Sequence, residues 1–244
     1  MPSPFLQPHK WAARTRLNNP GRPHPMRILV INPNSNAVFT RLMRDSLAPL
    51  QAASGWHIDC EMLDGTPTGI ESQRDIDSVI EPLCAMVAQE AARTDAFVIG
   101  CFADTGLYSA REMTDKPVLG ICESGLASAL CLGERFGVIS TSTESRNAEL
   151  RLARSYGLLE RCVGFAPIDI PVADIPTDPT AKDRVFSAAE SLKSNGADVL
   201  VLGCAGMTPY REEVRRRFGL PVIDPCISTV AMAISAHLQR GPQP

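Results

Sequence analysis

The sequence lacks any long uninterrupted apolar run. Crossing a bilayer as a helix takes roughly 20 consecutive apolar residues, and no stretch of these 244 residues approaches that length. The sequence also lacks an excess of positive charge, because 24 basic residues face 27 acidic ones and the formal net charge is −3. We therefore expect neither a membrane nor a nucleic acid as partner.

Signatures of metal and cofactor binding are missing as well. The four histidines are scattered, and no two of the eight cysteines have CxxC spacing. The pattern therefore predicts neither a zinc site nor a disulfide framework. The sequence contains no P-loop, no glycine-rich dinucleotide fingerprint and no HExxH motif. We expect no metal, no organic cofactor, and reduced thiols of the kind that cytoplasmic proteins carry.

The first 25 residues differ in composition from the rest. They contain six prolines, several basic residues and no acidic residue. The segment shows no apolar periodicity and lacks the apolar core of a secretory signal. We predict that residues 1–25 form a disordered tail and that the fold begins near Met26.

What the sequence does contain is a repeat built around two cysteines. Residues 95–108 read DAFVIGCFADTGLY and residues 198–210 read DVLVLGCAGMTPY, which sets Cys101 and Cys204 103 residues apart. Each copy has an aspartate, a short apolar run, Gly-Cys and a loop of small residues. An apolar run bounded by turn formers is typical of a buried parallel strand. Each cysteine is thus predicted at the carboxyl edge of a sheet, where open α/β sheets bind ligands.

The repeat extends to two further strands. Residues 27–31 are echoed by residues 135–139, and residues 117–121 by residues 221–225. Three strands in the same order predict an α/β fold of two pseudo-symmetric halves with parallel sheets and the active site in the cleft between them. We assign residues 26–122 to the first half, completed by the C-terminal helix within 225–244, and residues 123–224 to the second.

Local signals place some helix boundaries. Ser35 or Asn36 is predicted to cap the helix that follows the first strand. Pro82 interrupts a helical pattern, which predicts two helical pieces with the second starting at or near Pro82. Thr208-Pro209 is a good cap followed by proline at the first helical position. Residues 163–175 are interrupted by prolines and receive no element.

The paired cysteines have a chemical interpretation. A thiol ionises at a pKa of about 8.5, which a helix N-terminus or nearby donors lower. One thiolate then abstracts a proton at neutral pH while an opposed thiol delivers one, which inverts a carbon held between them. A cysteine in an apolar run is more often a small core residue. We give that interpretation to the six cysteines outside the repeat positions: Cys60, Cys84, Cys122, Cys131, Cys162 and Cys226.

Four motifs together carry a family resemblance. They are INPNSN with Thr40, GCFADTGL with residues 110–112, PVLGICES and VLGCAGM. From about Met26 to the C-terminal helix, the chain resembles the hydantoin/allantoin racemases of the aspartate/glutamate racemase superfamily. The resemblance implies a cofactor-independent enzyme with a pseudo-symmetric two-domain α/β fold and two catalytic cysteines, matched here by Cys101 and Cys204. The family's first motif is commonly GCFGDPGL, whereas Ala103 and Thr105 replace its glycine and proline here.

The resemblance and the repeat also predict substrate contacts. They lie in the loops at the strand ends, at Asn34, Ser35, Phe102, Thr141, Ser142, Ala205 and Gly206. For Phe102 core packing is the alternative role. Asp104, close to Cys101, has two open interpretations: it orients a ligand or it caps the next helix.

The predicted activity is racemisation at a carbon next to a carbonyl in a 5-substituted hydantoin or allantoin. These loops hold hydroxyl and amide groups rather than the cluster of basic residues that two carboxylates require. An Asp/Glu-type amino-acid racemase is the first alternative. Enzymes like arylmalonate decarboxylase keep only the second cysteine, so Cys101 argues against them, whereas a maleate isomerase-like enzyme stays open. A non-catalytic small-molecule binding protein is the alternative from another class. We expect a small-molecule substrate and a homo-oligomer.

Overall fold

A computed structural model describes residues 26–240. The predicted tail, residues 1–25, lies outside the described residues. The first α/β half contains four strands and five helices in alternation: β1 Arg27–Asn32, α1 Ala37–Ser54, β2 His57–Met62, α2 Gln73–Ser78, α3 Ile80–Glu90, β3 Ala96–Ile99, α4 Leu107–Glu112, β4 Val118–Gly120 and α5 Ile121–Ala129.

The second half repeats this plan. Its elements in chain order are β5 Phe136–Ser140, α6 Arg146–Ser155, β6 Cys162–Pro167, α7 Ala181–Ser194, β7 Val199–Leu202, α8 Arg211–Phe218 and β8 Val222–Ile223, and the last helix, α9 Pro225–Arg240, follows them. One four-stranded sheet has the order β2-β1-β3-β4 and the other the order β6-β5-β7-β8, and every strand pair is parallel. The predicted fold class, two pseudo-symmetric parallel α/β halves, is confirmed.

The strand order fixes where each half offers a binding edge. From β1 the chain turns to one side to form β2, and from β3 to the other side to form β4. The carboxyl ends of β1 and β3 therefore flank a topological switch point, which is where open α/β sheets bind ligands. The strands β5 and β7 form the equivalent point in the second sheet. Both central strands of each sheet are buried almost throughout.

The helix α1 shows why the loop after β1 is held in place. The Asn36 side chain caps the helix by accepting the Val38 N–H, as the sequence predicts. The apolar positions Phe39, Met43 and Leu47 recur at helical spacing and are buried. The helix is therefore fixed on the sheet by packing, and its N-terminus stays beside the end of β1.

The prediction of two helical pieces is confirmed, because α2 ends at Ser78 and α3 begins at Ile80, near Pro82. Pro82 lies within the first turn of α3, where proline is tolerated. One other local prediction is wrong, and one unassigned segment contains a strand. Thr208-Pro209 does not start a helix, because both residues lie in a 3₁₀ helix, Ala205–Tyr210, and α8 begins at Arg211. The unassigned segment contains β6, whose pairing with β5 shifts register near Gly164. That bulge, with Gly164 at φ 153°, breaks the alternation by which strands are recognised.

The last helix, α9, packs against α1, α5, β3 and β4. The boundary predicted between residues 122 and 123 falls inside α5, and the division of the chain into 26–122 with 225–244 and 123–224 stays a prediction. Among residues 26–240 no helix is both long and apolar enough to cross a membrane.

Candidate active site

Each repeat cysteine follows a glycine that is hydrogen-bonded to the neighbouring central strand. The Gly203 N–H donates to the Ile139 carbonyl at 2.8 Å, and a Cβ at position 203 would lie 2.6 Å from that oxygen. Gly100 makes the equivalent bond to the Ile31 carbonyl at 2.8 Å. At position 203 this close approach of two backbones requires glycine, whereas at position 100 a Cβ would first meet the Met43 side chain, at 2.9 Å. The two equivalent hydrogen bonds place the following cysteine at the end of the central strand pair in both halves.

The two cysteines line one cavity. This cavity between the halves has a volume of about 280 Å³, and Cys101 and Cys204 both contribute to its wall. Cys101 is half-buried and Cys204 is buried. The arrangement brings together two thiols from sequence positions 103 residues apart. All eight cysteines lie in the described part of the chain, and each is a free thiol.

Four of the seven predicted substrate contacts line the same cavity: Asn34, Phe102, Thr141 and Ala205. The other three lie beside it. The Ser35 hydroxyl donates to the Thr66 carbonyl at 2.6 Å, and the Ser142 hydroxyl accepts the Ser145 N–H at 3.1 Å. The Gly206 N–H donates to the Cys204 sulfur at 3.4 Å. Their roles as substrate contacts stay predictions.

The environment of both thiols raises their pKa, contrary to the expectation that local donors lower it. Burial raises the pKa of Cys204 to about 12, although the Gly206 N–H opposes the shift. Burial also raises the pKa of Cys101, against the Ala103 N–H and the Thr105 hydroxyl. Desolvation of the thiolate is the larger effect. The protein environment of both cysteines therefore favours the thiol over the thiolate.

Asp104 is a helix cap. Its Oδ1 accepts the Cys122 N–H at 2.9 Å, and its Oδ2 accepts the Glu123 N–H at 2.8 Å and the Tyr156 hydroxyl at 2.7 Å. The capped helix is α5 and not α4, the next helix along the chain. Burial raises the pKa of Asp104 to about 7, against those three donors. Its carboxylate faces the helix, so a role in holding ligand is not supported.

The second half makes the same cap by another route. There Asp224, directly before α9, accepts the N–H groups of Cys226 and Ile227 at 2.9 and 3.2 Å. The equivalent position in the first half is Gly120, and a Cβ there would lie 2.3 Å from the Asp104 carboxyl carbon. The Asp104 carboxyl group thus occupies the space that a side chain at position 120 would take.

Sequence reasoning missed Glu149, a buried carboxyl in the cavity wall. It lies on α6 and accepts the Ser140 hydroxyl at 2.7 Å from the end of β5. Burial raises its pKa to about 7, against hydrogen bonds from Ser140 and Ser145. An acidic residue in a helix is normally predicted to be exposed to solvent. In the sequence, only the neighbouring serines at the strand end indicate that this glutamate has buried hydrogen-bond partners.

The carboxyl group of Glu149 makes folding stability depend on pH. In the folded protein its pKa is about 7, whereas the unfolded chain releases this proton near pH ~4.3. The stabilisation is complete below the unfolded pKa and is lost as the pH rises through about 7, at about 1.4 kcal/mol per pH unit. Urea unfolding should therefore show that the native protein loses free energy of unfolding between pH 5 and 7 relative to Glu149→Gln. Glu160→Gln, at an exposed position, is the control. A pH-independent difference between native protein and Glu149→Gln would contradict the prediction.

Two loops from opposite halves meet over the cavity. The Glu71 carboxylate, in the loop before α2, accepts the Val172 N–H of the second half at 2.9 Å. Both residues line the cavity. This contact was not predicted, because nothing in the sequence relates two loop residues 101 positions apart.

The fold and this cavity define a class of proteins: two-half parallel α/β proteins with a small-molecule site enclosed between repeated strand ends. A sequence profile of the Asp/Glu/Hydantoin racemase family matches residues 28–233, and the chain belongs to that family. The predicted family resemblance is confirmed.

Individual relatives agree with this assignment. The chain is 36% identical over 211 residues to the hydantoin racemase of Rhizobium meliloti, covering 85% of this chain and 87% of that one. The solved allantoin racemase from Klebsiella pneumoniae is 28% identical, with a TM-score of 0.83 over 88% of this chain and 89% of that chain. Allantoin racemase from Pseudomonas fluorescens is 26% identical, with a TM-score of 0.81 over 88% of this chain and 91% of that chain. The protein is therefore a racemase, as predicted, and the non-catalytic alternative is set aside.

Proposed function

We propose that this racemase inverts the carbon next to a carbonyl in a 5-substituted hydantoin or in allantoin, with Cys101 and Cys204 as its acid and base. The observation that carries the proposal is the lining of one cavity by two repeat-related thiols from opposite halves. Groups that face each other across a bound carbon reach both of its faces. Inversion requires that access.

The chemical step balances with one cysteine as thiolate and the other as thiol. The thiolate of one cysteine forms an S–H bond as the C–H bond at the reacting carbon breaks, and the electron pair moves into the adjacent carbonyl as an enolate. The enolate then takes the proton of the opposed thiol on its other face, which leaves that sulfur as thiolate. For this transfer each sulfur lies about 3–3.5 Å from the carbon in the productive complex. We propose that neither a metal nor an organic cofactor takes part.

The charges of the cavity favour a neutral cyclic substrate. Its lining includes three carboxyl side chains, Glu71, Glu144 and Glu149, and one guanidinium, that of Arg151. An acidic amino acid brings two carboxylates, which this lining repels. A hydantoin ring instead offers amide N–H groups and carbonyls to neutral partners such as Asn34 and Thr141. The substrates for which these relatives are named, hydantoin and allantoin, fit the same requirement.

The proposal is tested by incubating pure enantiomers with the enzyme and following both optical rotation and loss of the α-proton signal in deuterium oxide. The panel contains 5-alkyl hydantoins, allantoin, aspartate and glutamate. We expect racemisation of a hydantoin or allantoin that survives dialysis against EDTA and is lost on treatment with iodoacetamide. Activity lost to EDTA and restored by a divalent metal would contradict the thiol-only mechanism, and racemisation of aspartate or glutamate alone would contradict the substrate class.

Among residues 26–240, no group of three or more His, Cys, Asp or Glu side chains is arranged to hold a metal ion. The EDTA experiment tests the prediction that the reaction needs no metal. We also propose a homo-oligomer and a reducing, cytoplasmic setting. The mechanism requires free thiols, which such a setting maintains.

A further inference from the structure

The two cysteines share a repeat position but not a hydrogen-bond environment. The Thr105 hydroxyl lies 3.6 Å from the Cys101 sulfur and donates to it. The Ala103 N–H is a second donor to this sulfur. Cys204 receives the N–H of Gly206 at 3.4 Å. Cys101 therefore accepts a hydrogen bond from a side-chain hydroxyl, whereas the donor to Cys204 is a backbone N–H.

The second half contains the matching threonine, used differently. Thr208 lies 103 residues after Thr105, the same offset that separates the cysteines. Its hydroxyl donates to the Asp224 carboxylate at 2.8 Å rather than to the Cys204 sulfur. Thr105 is itself buried, with 1% of its surface exposed, so water does not compete strongly for its hydroxyl. The pseudo-symmetry of the fold is broken at this hydroxyl.

The charged neighbours of Cys101 do not supply the stabilisation that its thiolate needs. The titratable groups around it come from several elements, and all of them are acids: Asp104 on its own loop, Cys122 on α5, Cys204 across the cavity, and Glu71, Glu144 and Glu149 in the cavity lining. Of these groups, Asp104 raises the pKa of the Cys101 thiol by its charge, and none of the acids stabilises the thiolate. Among the described residues that line the cavity, Arg151 carries the positive charge, and it is exposed to solvent, which screens that charge. Hydrogen bonds to the sulfur are therefore the main opposing effect.

We infer that Thr105 is a positioning residue which makes Cys101 the first of the pair to ionise and leaves Cys204 as the thiol. The inference rests on the proposed two-cysteine mechanism. A donor to an ionised acceptor stabilises it more than a donor to a neutral one. The thiolate of Cys101 thus gains more from the Thr105 hydroxyl than its thiol does. The first ionisation of the coupled pair then belongs mainly to Cys101.

The difference in ionisation between Cys101 and Cys204 must be measured as the pH dependence of the thiols themselves. A preference for one enantiomer would not reveal it. Racemisation has an equilibrium constant of 1, so kcat/KM is equal in both directions whatever the resting protonation state. The quantity that changes is the pH at which the pair ionises. It is visible in the acid limb of the pH profile of kcat/KM and in the pH dependence of Cys101 alkylation.

The experiment is a short pulse of iodoacetamide at a series of pH values, with alkylation of the Cys101 peptide quantified by mass spectrometry. We expect Thr105→Val to raise the midpoint at Cys101 by about one pH unit, which lowers its alkylation rate below the midpoint about tenfold. The acid limb of kcat/KM should move by the same amount. Thr105→Ser, which keeps a hydroxyl, should restore both. Thr105→Ala, which also lacks the hydroxyl, should repeat the shift if the valine variant does not fold.

Thr208→Val is the matched control, because it removes the repeat-equivalent hydroxyl. It should leave the Cys101 midpoint unchanged. An unchanged midpoint in both Thr105→Val and Thr105→Ala, or an equal shift in Thr208→Val, would overturn the inference. Failure of the proposed function has a different signature. If Thr105→Val shifts the Cys101 midpoint but the native protein exchanges no α-proton of any hydantoin or allantoin, the proposed reaction is wrong. The inferred order in which the two cysteines ionise would still hold.

Discussion

Replacing either Cys101 or Cys204 by serine is expected to lower the rate of full racemisation by roughly 10²–10⁴-fold, the range for loss of a catalytic acid or base. A serine hydroxyl ionises far less readily than a thiol, so it fails as a base, and it is a poor proton donor for the same reason. Both steps are needed for inversion. Each substitution should therefore slow inversion to that extent, although the cysteine that remains still serves as a base.

The remaining cysteine gives the two variants opposite behaviour. Each cysteine removes the proton of the enantiomer that presents its hydrogen to that face. In deuterium oxide Cys101→Ser should exchange the α-proton of one pure enantiomer, and Cys204→Ser that of the other. Proton NMR measures both exchange rates, and optical rotation measures inversion on the same samples.

Cys131→Ser is the control for these variants, because Cys131 is an exposed thiol outside the cavity lining. It should racemise at the native rate. The two-base mechanism is wrong if either cavity variant also racemises at the native rate. It is equally wrong if both variants exchange the same enantiomer, since one base would then serve both faces.

Much of the architecture follows from the repeat in the sequence. Two Gly-Cys steps after apolar runs indicate two buried strands, and the spacing shared with residues 27–31 and 135–139 indicates that each lies in a similar sheet. Parallel strands with helical connections leave few topologies. The glycines at 100 and 203 then place the cysteines, because each donates its N–H to a carbonyl of the neighbouring central strand. These are local and periodic features, which a single sequence reveals.

What the sequence did not reveal depends on contacts between distant residues. The strand β6 was missed because its bulge at Gly164 disturbs the period of its side chains. Glu149 is buried, with its carboxyl group hydrogen-bonded to Ser140 at a strand end. Thr105 stood out as a departure from the family motif, but its place on the Cys101 sulfur requires the loop geometry. Such pairings leave no periodic signal.

Replacing Asp104 by alanine is expected to lower the free energy of unfolding by about 3–4 kcal/mol. The change leaves the N–H groups of Cys122 and Glu123 and the hydroxyl of Tyr156 without their acceptor in a buried region, each at a cost of about 1–3 kcal/mol that is not fully additive. It removes the cap of α5 in the same step. Since Tyr156 follows α6 of the second half, the change also breaks a link between the halves. For a domain of this size the midpoint of thermal unfolding should fall by about 10 °C.

Three variants separate the causes of that loss, measured by urea unfolding at pH 6. Asp104 has a φ of 46°, where alanine is strained, so Asp104→Gly relieves the backbone and should still lose most of the stability. Tyr156→Phe keeps the cap and loses one hydrogen bond, so about 1 kcal/mol is expected. Asp75→Ala removes the carboxylate half of the Ser72–Asp75 capping box of the surface helix α2, where water replaces the carboxylate, and should cost about 1 kcal/mol or less. If Asp104→Gly is within about 1 kcal/mol of the native protein, the buried carboxyl does not hold α5 and the second half together, and the loss in Asp104→Ala is backbone strain.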